Sequence, residues 1–222
     1  MMQRVAIAGA SGYTGRRLIA QLATNQDWRS RALVRAGSPT KTAFPADQDV
    51  AVCQLDNIES LAAALAGCDA IIQTIGTTKA QFAPGVNYET VDYGTTVALL
   101  AAAGRANVRR FLLLSSTGAG KPVGAYLRWK QRTEQAVIDS PLDWTILRPA
   151  AIVGPDRRAL QIGSAPFTLL SQLPLVGDFG ARLRAIEVDD LARCFIACLA
   201  DSSTSKQILE GRSLWQKVSR TV

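Results

Sequence analysis

Tyr126 and Lys130 stand four residues apart in the stretch Tyr126-Leu127-Arg128-Trp129-Lys130, a Y-x-x-x-K spacing. On a helix this spacing puts both side chains on one face. A free tyrosine has a pKa of about 10 and is a poor proton shuttle at neutral pH. An ammonium beside it favours the phenolate and lowers that value. The pair therefore has the make-up of a proton donor and its activator, and the same lysine can hold ribose hydroxyls. Ser115 and Ser116, 11 and 10 residues before Tyr126, close a short apolar run, with Thr117 next. A hydroxyl there can bond a substrate carbonyl, and strand alternation leaves only one or two of the three on the working face.

A second constellation lies at Gly9-Ala10-Ser11-Gly12-Tyr13-Thr14-Gly15, spaced G-x-x-G-x-x-G between an apolar run and an amphipathic stretch. A dinucleotide needs a tight turn, close backbone approach to its pyrophosphate and a helix N-terminus aimed at it. The three glycines match those needs. The next apolar run ends Leu33-Val34-Arg35, and no Asp or Glu lies between Arg31 and Lys41. An acidic residue there would bind the ribose hydroxyls of NAD. A guanidinium instead clamps a 2′-phosphate, so Arg35, with Ser38 and Lys41 nearby, favours NADP(H).

These residues need strands and helices to position them. Short apolar runs at Arg4–Ala8, Arg31–Val34, Val50–Gln54, Ala70–Ile75, Phe111–Leu114 and Trp144–Leu147 read as buried strands. Between them, helical spacing runs over Thr14–Thr24, Asp56–Ala66, Thr90–Ala106 and Tyr126–Asp139. Asp56 is the expected N-cap of its helix, with Glu59 completing a capping box. Residues 154–180 read as loops and short helices, Val188–Ala200 as a helix and Gln207–Glu210 as a last strand. Alternation of this kind predicts an α/β fold, a doubly wound parallel sheet with ligands at the strands' carboxyl ends. The 222 residues fit a single domain, with residues 150–185 a loop-rich lobe on the substrate side.

Composition excludes other chemistries. With no histidine, Ser-His-Asp hydrolysis and imidazole-based metal sites are ruled out. The four cysteines, Cys53, Cys68, Cys194 and Cys198, form no Cys-x-x-Cys pair, so no metal site is expected. Cys194 and Cys198 read as core packing, and unpatterned thiols fit a reducing cytoplasm. No apolar run approaches the roughly 20 residues of a membrane span, and the N-terminus does not read as a signal peptide. The net charge of +7 is spread over small groups such as Arg16-Arg17, Arg109-Arg110 and Arg157-Arg158. No aromatic-interleaved motif accompanies them, so a nucleic-acid partner is not expected.

GASGYTG at 9–15, Arg35, AIIQTIGTT at 70–78, FLLLSS at 111–116, YLRWK at 126–130, TILRP at 145–149 and VDDLA at 188–192 together resemble the atypical short-chain dehydrogenases/reductases. The branch they look most like is the compact NAD(P)H-binding, NmrA-like group related to Tat-interacting-protein-type oxidoreductases. The resemblance implies pyrophosphate contacts from Ser11, Gly12, Tyr13, Thr14 and Gly15. It puts Arg35 at the 2′-phosphate, Asp56 near the adenine amino group, and Ile75, Gly76 and Thr77 along the adenine and ribose. Tyr126 and Lys130 become the catalytic pair, while Pro149 to Ile152 touch the nicotinamide and Arg157 or Arg158 approaches the phosphates.

Three functions are consistent with these residues. One is an NADPH-dependent reductase of carbonyls or quinones, with Tyr126, Lys130 and Ser116 at the reacting end. Another is an NADP(H)-binding sensor with little turnover. A third is isomerase or dehydratase chemistry on a nucleotide sugar. The expected partner is a small substrate, in a cytoplasmic monomer or homodimer. Trp129, Phe167, Leu169, Leu170 and Phe179 are candidates for an apolar pocket or for core.

Overall fold

Side chains alternate along each central strand, and that period of two divides the apolar residues between two cores. The computed structural model describes residues 2–38, 44–155 and 177–220. The chain runs β1 (Gln3–Ala8), α1 (Tyr13–Leu22), β2 (Trp28–Val34), β3 (Asp49–Val52), α2 (Ile58–Leu65) and β4 (Ala70–Gln73). A π-helical segment, Tyr88–Gly94, then leads directly into α3 (Thr95–Arg105). β5 (Arg110–Leu114), α4 (Gly124–Ile138), β6 (Asp143–Arg148) and β7 (Ile152–Val153) follow. The chain closes with α5 (Gly177–Leu183), β8 (Ile186–Glu187), α6 (Val188–Ala200), β9 (Gln207–Glu210) and α7 (Arg212–Ser219).

Seven strands form one parallel sheet in the order β3-β2-β1-β4-β5-β6-β9. Val5, Ile7, Ala32, Val34, Ile72, Leu112 and Leu147 face α1, α6 and α7, where Leu18, Ile19, Leu22, Leu191, Phe195, Leu214 and Val218 cover them. Ala6, Ala8, Leu33, Ile71, Phe111, Leu113 and Ile146 face the other way, onto Leu61 and Leu65 of α2, Leu99 of α3 and Val137 of α4. Both faces are covered, as near-continuous apolar strands require. The doubly wound, single-domain architecture expected from the sequence is the one observed. Cys194 and Cys198 are fully buried in the α6 core, and all four cysteines are free thiols.

Several boundaries differ from expectation for physical reasons. β2 begins three residues early, at Trp28, because Trp28 and Ser30 alternate inward ahead of the apolar run. The N-cap of α2 is Asn57, not Asp56: its side chain accepts a 2.8 Å bond from the Ser60 amide. Asp56 is exposed one residue earlier, so the expected capping box with Glu59 does not form, and Glu59 instead pairs with Arg105. The helix expected over 90–106 is α-helical only from Thr95, its first five residues belonging to the π segment. The α4 helix starts at Gly124, two residues before Tyr126. The expected lobe at 150–185 contains β7, paired with β8, and α5. Residues 156–176 lie outside the described part, and with them Arg157, Arg158, Phe167, Leu169 and Leu170. Lys41 is also outside.

Arg110, from the Arg109-Arg110 group, is a buried strut at the other end of the sheet. It pairs with Asp143 at 2.9 Å and donates to Thr145, Thr204 and the Cys198 carbonyl. Asn57→Ala is expected to cost about 1 kcal/mol of stability, the usual worth of an N-cap. Asp56→Ala should stay within about 0.5 kcal/mol, as exposed substitutions do. Urea unfolding of the two variants separates the two caps.

Candidate functional site

The turn after β1 is built from backbones in close approach. Gly9 has φ +86°, and a Cβ on it would stand 2.7 Å from Thr74 Oγ1 and 2.9 Å from the Ile75 amide. A Cβ on Gly15 would stand 2.2 Å from the Gly9 carbonyl oxygen. The Gly12 amide closes the turn by donating to that same carbonyl at 2.9 Å. Gly12 is the N-cap of α1, where no side chain caps the helix and the first turn holds no acidic residue. The helix therefore presents a positive dipole end and backbone donors beside exposed Ser11, which suits an anionic pyrophosphate. Thr14 and Gly15 are buried beneath the turn, and Tyr13 is half-buried.

Tyr13 also reaches across the site. A Cβ on Gly154 would stand 2.3 Å from Tyr13 Oη, and Gly154 has φ +151°. The segment after β6 thus packs on the glycine turn only because Gly154 has no side chain. Sequence reasoning did not single out Gly154, although a glycine following the TILRP strand was the available signal.

Arg35 and Asp56 are exposed past the carboxyl ends of β2 and β3. Arg35 begins a turn in which its carbonyl accepts from the Ser38 amide at 3.0 Å. At the end of β4, Ile75 and Thr77 are fixed from behind. The Ile75 amide donates to the buried Gln73 side chain, which donates in turn to Thr96 at 2.7 Å. The Thr77 amide donates to Asp92 Oδ2 at 2.9 Å. Gly76 between them is exposed.

Tyr126 and Lys130 share one face of α4, with Lys130 Nζ 5.8 Å from the Tyr126 ring centre. Tyr126 is 37% exposed and Lys130 only 5%. Lys130 Nζ pairs with Asp92 Oδ1 at 2.9 Å, and Asp92 is itself 1% exposed. Burial alone pulls the ammonium down; Asp92, then Tyr126 and Glu134, more than offset that and hold Lys130 above the ordinary lysine value. The Tyr126 ring leans on Tyr88 at 5.4 Å, and Tyr88 meets exposed Phe82 edge-on at 4.8 Å. Burial pushes the Tyr88 phenol up, so it stays neutral beside Tyr126. Asp92 was not foreseen, since its partner lies 38 residues away in the chain. The available signal was a lone carboxylate followed by the apolar stretch of the helix expected over 90–106.

Beyond β5, the three hydroxyls divide. Ser115 Oγ is sealed from solvent. Thr117 Oγ1 donates to the Arg148 carbonyl at 3.0 Å, and its amide donates to the Pro149 carbonyl at 2.9 Å. Half-buried Ser116 donates only a long 3.4 Å bond to the Thr117 carbonyl. Pro149 is buried, and Ile152 is half-buried in β7. Trp129 points elsewhere: its ring lies tilted against Tyr93 at 5.8 Å and under Arg132 at 4.7 Å, lining a hollow of about 390 Å³ with Gln135 and Asp139. The Phe179 side chain lies outside the described part. No group of three metal-ligating side chains occurs among the described residues. None of their helices is long and apolar enough to cross a membrane.

A parallel sheet in this order with a glycine-lined first turn is a Rossmann-type dinucleotide-binding fold. The chain belongs to the NAD(P)H-binding family, which matches residues 9–202. It is 32% identical over 197 residues to a ceramide reductase of Caulobacter vibrioides, an alignment covering 87% of this chain and 60% of that one. It is 27% identical over 217 residues to an uncharacterized sugar epimerase of Bacillus subtilis, covering 93% and 92%. A wide-type short-chain dehydrogenase/reductase of Veillonella parvula, solved with NADP, superposes with a TM-score of 0.66 at 16% identity, covering 94% and 93%. The likeness to the atypical short-chain dehydrogenases/reductases stands, within a family of oxidoreductase- and epimerase-like proteins that take a nicotinamide dinucleotide.

Gly15→Ala is expected to lower stability by about 1–3 kcal/mol, the usual cost of forcing a methyl into closed packing. It should also weaken dinucleotide binding, because the turn must open to admit the methyl. Thermal unfolding and calorimetric titration of the variant check both.

Proposed function

We propose that the chain is an NADPH-dependent oxidoreductase that reduces a small carbonyl- or quinone-type acceptor. The observation that carries this reading is the stacking of functions on α4, with an exposed phenol directly over a buried, charged lysine. A sensor needs the lysine for the ribose and has no use for an accessible phenol above it. A relative named a reductase supports the same direction.

NADPH supplies the hydride when bound. The α1 N-terminus, Ser11, Gly12, Tyr13, Thr14 and Gly15 take the pyrophosphate, while Ile75, Gly76 and Thr77 flank the adenine and ribose. Asp56 takes the adenine amino group, and Pro149 to Ile152 form the nicotinamide wall. Arg35 takes the 2′-phosphate, and its exposure leaves the guanidinium open to a bidentate contact. A neighbour of the same fold solved with NADP supports that choice. Lys130 has three donors, so one can stay on Asp92 while others hold ribose hydroxyls. Tyr126 donates the proton to the acceptor oxygen. Ser115 Oγ is sealed from solvent and Thr117 Oγ1 is held by the Arg148 carbonyl, so half-buried Ser116, with one long bond, is the hydroxyl left to orient that oxygen.

Arg35→Ala is expected to cost about 1.5–3 kcal/mol of NADPH affinity, the worth of hydrogen bonds to a charged group, and little for NADH. Calorimetry with both cofactors measures the difference; equal or tighter NADH binding by the unaltered protein overturns the preference. Tyr126→Phe keeps the ring and loses the hydroxyl. NADPH affinity should be unchanged, while turnover falls by roughly 10²–10⁴, the contribution of a positioned proton donor. A screen of carbonyls and quinones with NADPH supplies the assay, and normal turnover by the phenylalanine variant removes Tyr126 from the mechanism.

A further inference from the structure

Asp92 has no place in the reading above beyond its contact with Lys130, yet it is among the most enclosed charged groups described. It sits where the helix before α3 is wound as a π segment rather than an α-helix, a feature found often at functional sites. Each of its carboxylate oxygens has a separate task. Oδ2 accepts the Thr77 amide of the loop after β4, at 2.9 Å. Oδ1 pairs with Lys130 Nζ of α4, also at 2.9 Å. The Asp92 carbonyl accepts from Thr96 at 2.7 Å, and Thr96 in turn receives the Gln73 amide. Thus the loop after β4 and α4 meet at the Asp92 carboxylate, and β4 reaches the same residue through Thr96 and its backbone carbonyl.

The pair is almost wholly enclosed, and exposed Gly76 lies directly beside it. A Cβ built there would stand 3.4 Å from both Lys130 Nζ and Asp92 Oδ1, so a glycine at this position leaves the two charges within reach of a bound group. The charged and titratable neighbours are few. Tyr126 and Glu134 act on Lys130 from α4 itself. Tyr88, in the π segment, is a neutral neighbour of Asp92, and Glu134 is already engaged by Arg148. Asp92 is therefore the main compensation for a desolvated ammonium. A buried charge without a partner sheds its charge rather than bear the desolvation penalty.

We propose that Asp92 is the positioning residue of the site: it keeps the buried Lys130 ammonium charged and fixed beside Gly76, and joins it to the Ile75–Thr77 loop. The proposal rests on the reading of Lys130 as the residue that holds the ribose. Its consequence is a lysine that stays cationic through the alkaline range. Asp92→Asn keeps an acceptor for the Thr77 amide and removes only the charge, so the loop anchor survives while the compensation is lost.

The decisive measurement is the titration of Lys130 followed by NMR of 13Cε-labelled lysine, with the Lys130 signal identified by its loss in Lys130→Met. In the unaltered protein Lys130 should titrate above ordinary lysine, and in Asp92→Asn well below it. A Lys130 that titrates below ordinary lysine in the unaltered protein overturns the proposal without any variant. So does an Asp92→Asn protein whose Lys130 titrates as before. NADPH calorimetry from pH 7 to 9.5 adds the functional readout. Asp92→Asn should bind within about twofold of the unaltered protein at the acid end and about tenfold more weakly at the alkaline end, tenfold being the effect of one pKa unit. A loss of equal size at every pH means that Asp92 serves only the loop, and sinks the positioning role. If Lys130→Met binds NADPH normally, the ribose-holding role fails, whereas the NMR titration still decides what Asp92 does to the lysine.

Discussion

At the carboxyl end of β1 three stretches of backbone lie closer together than side chains permit. The Gly9 carbonyl sits where a Gly15 side chain would begin, and Gly9 itself lies against Thr74 and Ile75 at the end of β4. This contact seats the α1 N-terminus over the strand ends, and it sets the loop after β4 next to the turn. The third approach, of Gly154 to Tyr13, draws the segment beyond β6 over the same place. Everything that could hold a dinucleotide follows from these approaches, because they decide which backbone donors face outward together.

The reacting end depends on a different material, buried charge. α4 has to present Tyr126 outward and Lys130 inward, and it is clamped for that by ionic contacts below. Glu134, one turn beyond Lys130, takes a two-pronged contact from Arg148 at 2.8 and 2.5 Å. Arg148 also reaches Glu210 of β9 at 3.1 Å, and Glu210 accepts the Gly118 amide. The helix, two strands and the loop after β5 therefore share one network. Such networks contribute little net stability against an apolar core but fix geometry, since removing one member strands a buried charge.

Most of the sheet was legible because apolar runs ended by glycine or by polar pairs are what a parallel core requires, as at Ala8-Gly9 and Leu114-Ser115. The Tyr126–Lys130 face was legible because a four-residue spacing is local information. What escaped was non-local or too short to carry a pattern. Asp92 and Lys130 meet across 38 residues, so neither spacing nor periodicity links them. The π winding of Tyr88–Gly94 is a choice of hydrogen-bond partner that side-chain types do not announce. β7 and β8 have two residues each, a single alternation with nothing to repeat it. Asn57 and Asp56 are both good caps, and residue type alone does not decide between them. The helix Arg212–Ser219 was missed although Leu214 and Val218, four apart, are both buried.

The packing of α1 against α6 sets the order in which the chain can become safe from aggregation. Leu18, Ile19 and Leu22 are covered by Leu191, Phe195 and Cys198, residues some 170 positions later. β9, which closes the far edge of the sheet beside β6, comes later still. At ribosomal rates of about 5–20 residues per second, the apolar face of α1 waits on the order of ten seconds or more for its cover. The buried residues of the opposite core, under α2, α3 and α4, all come before that, and only half-buried Ile208 of β9 joins it later. The nascent protein is therefore lopsided, finished on one side of the sheet and bare on the other. Its exposed side is the one that carries the glycine-turn helix.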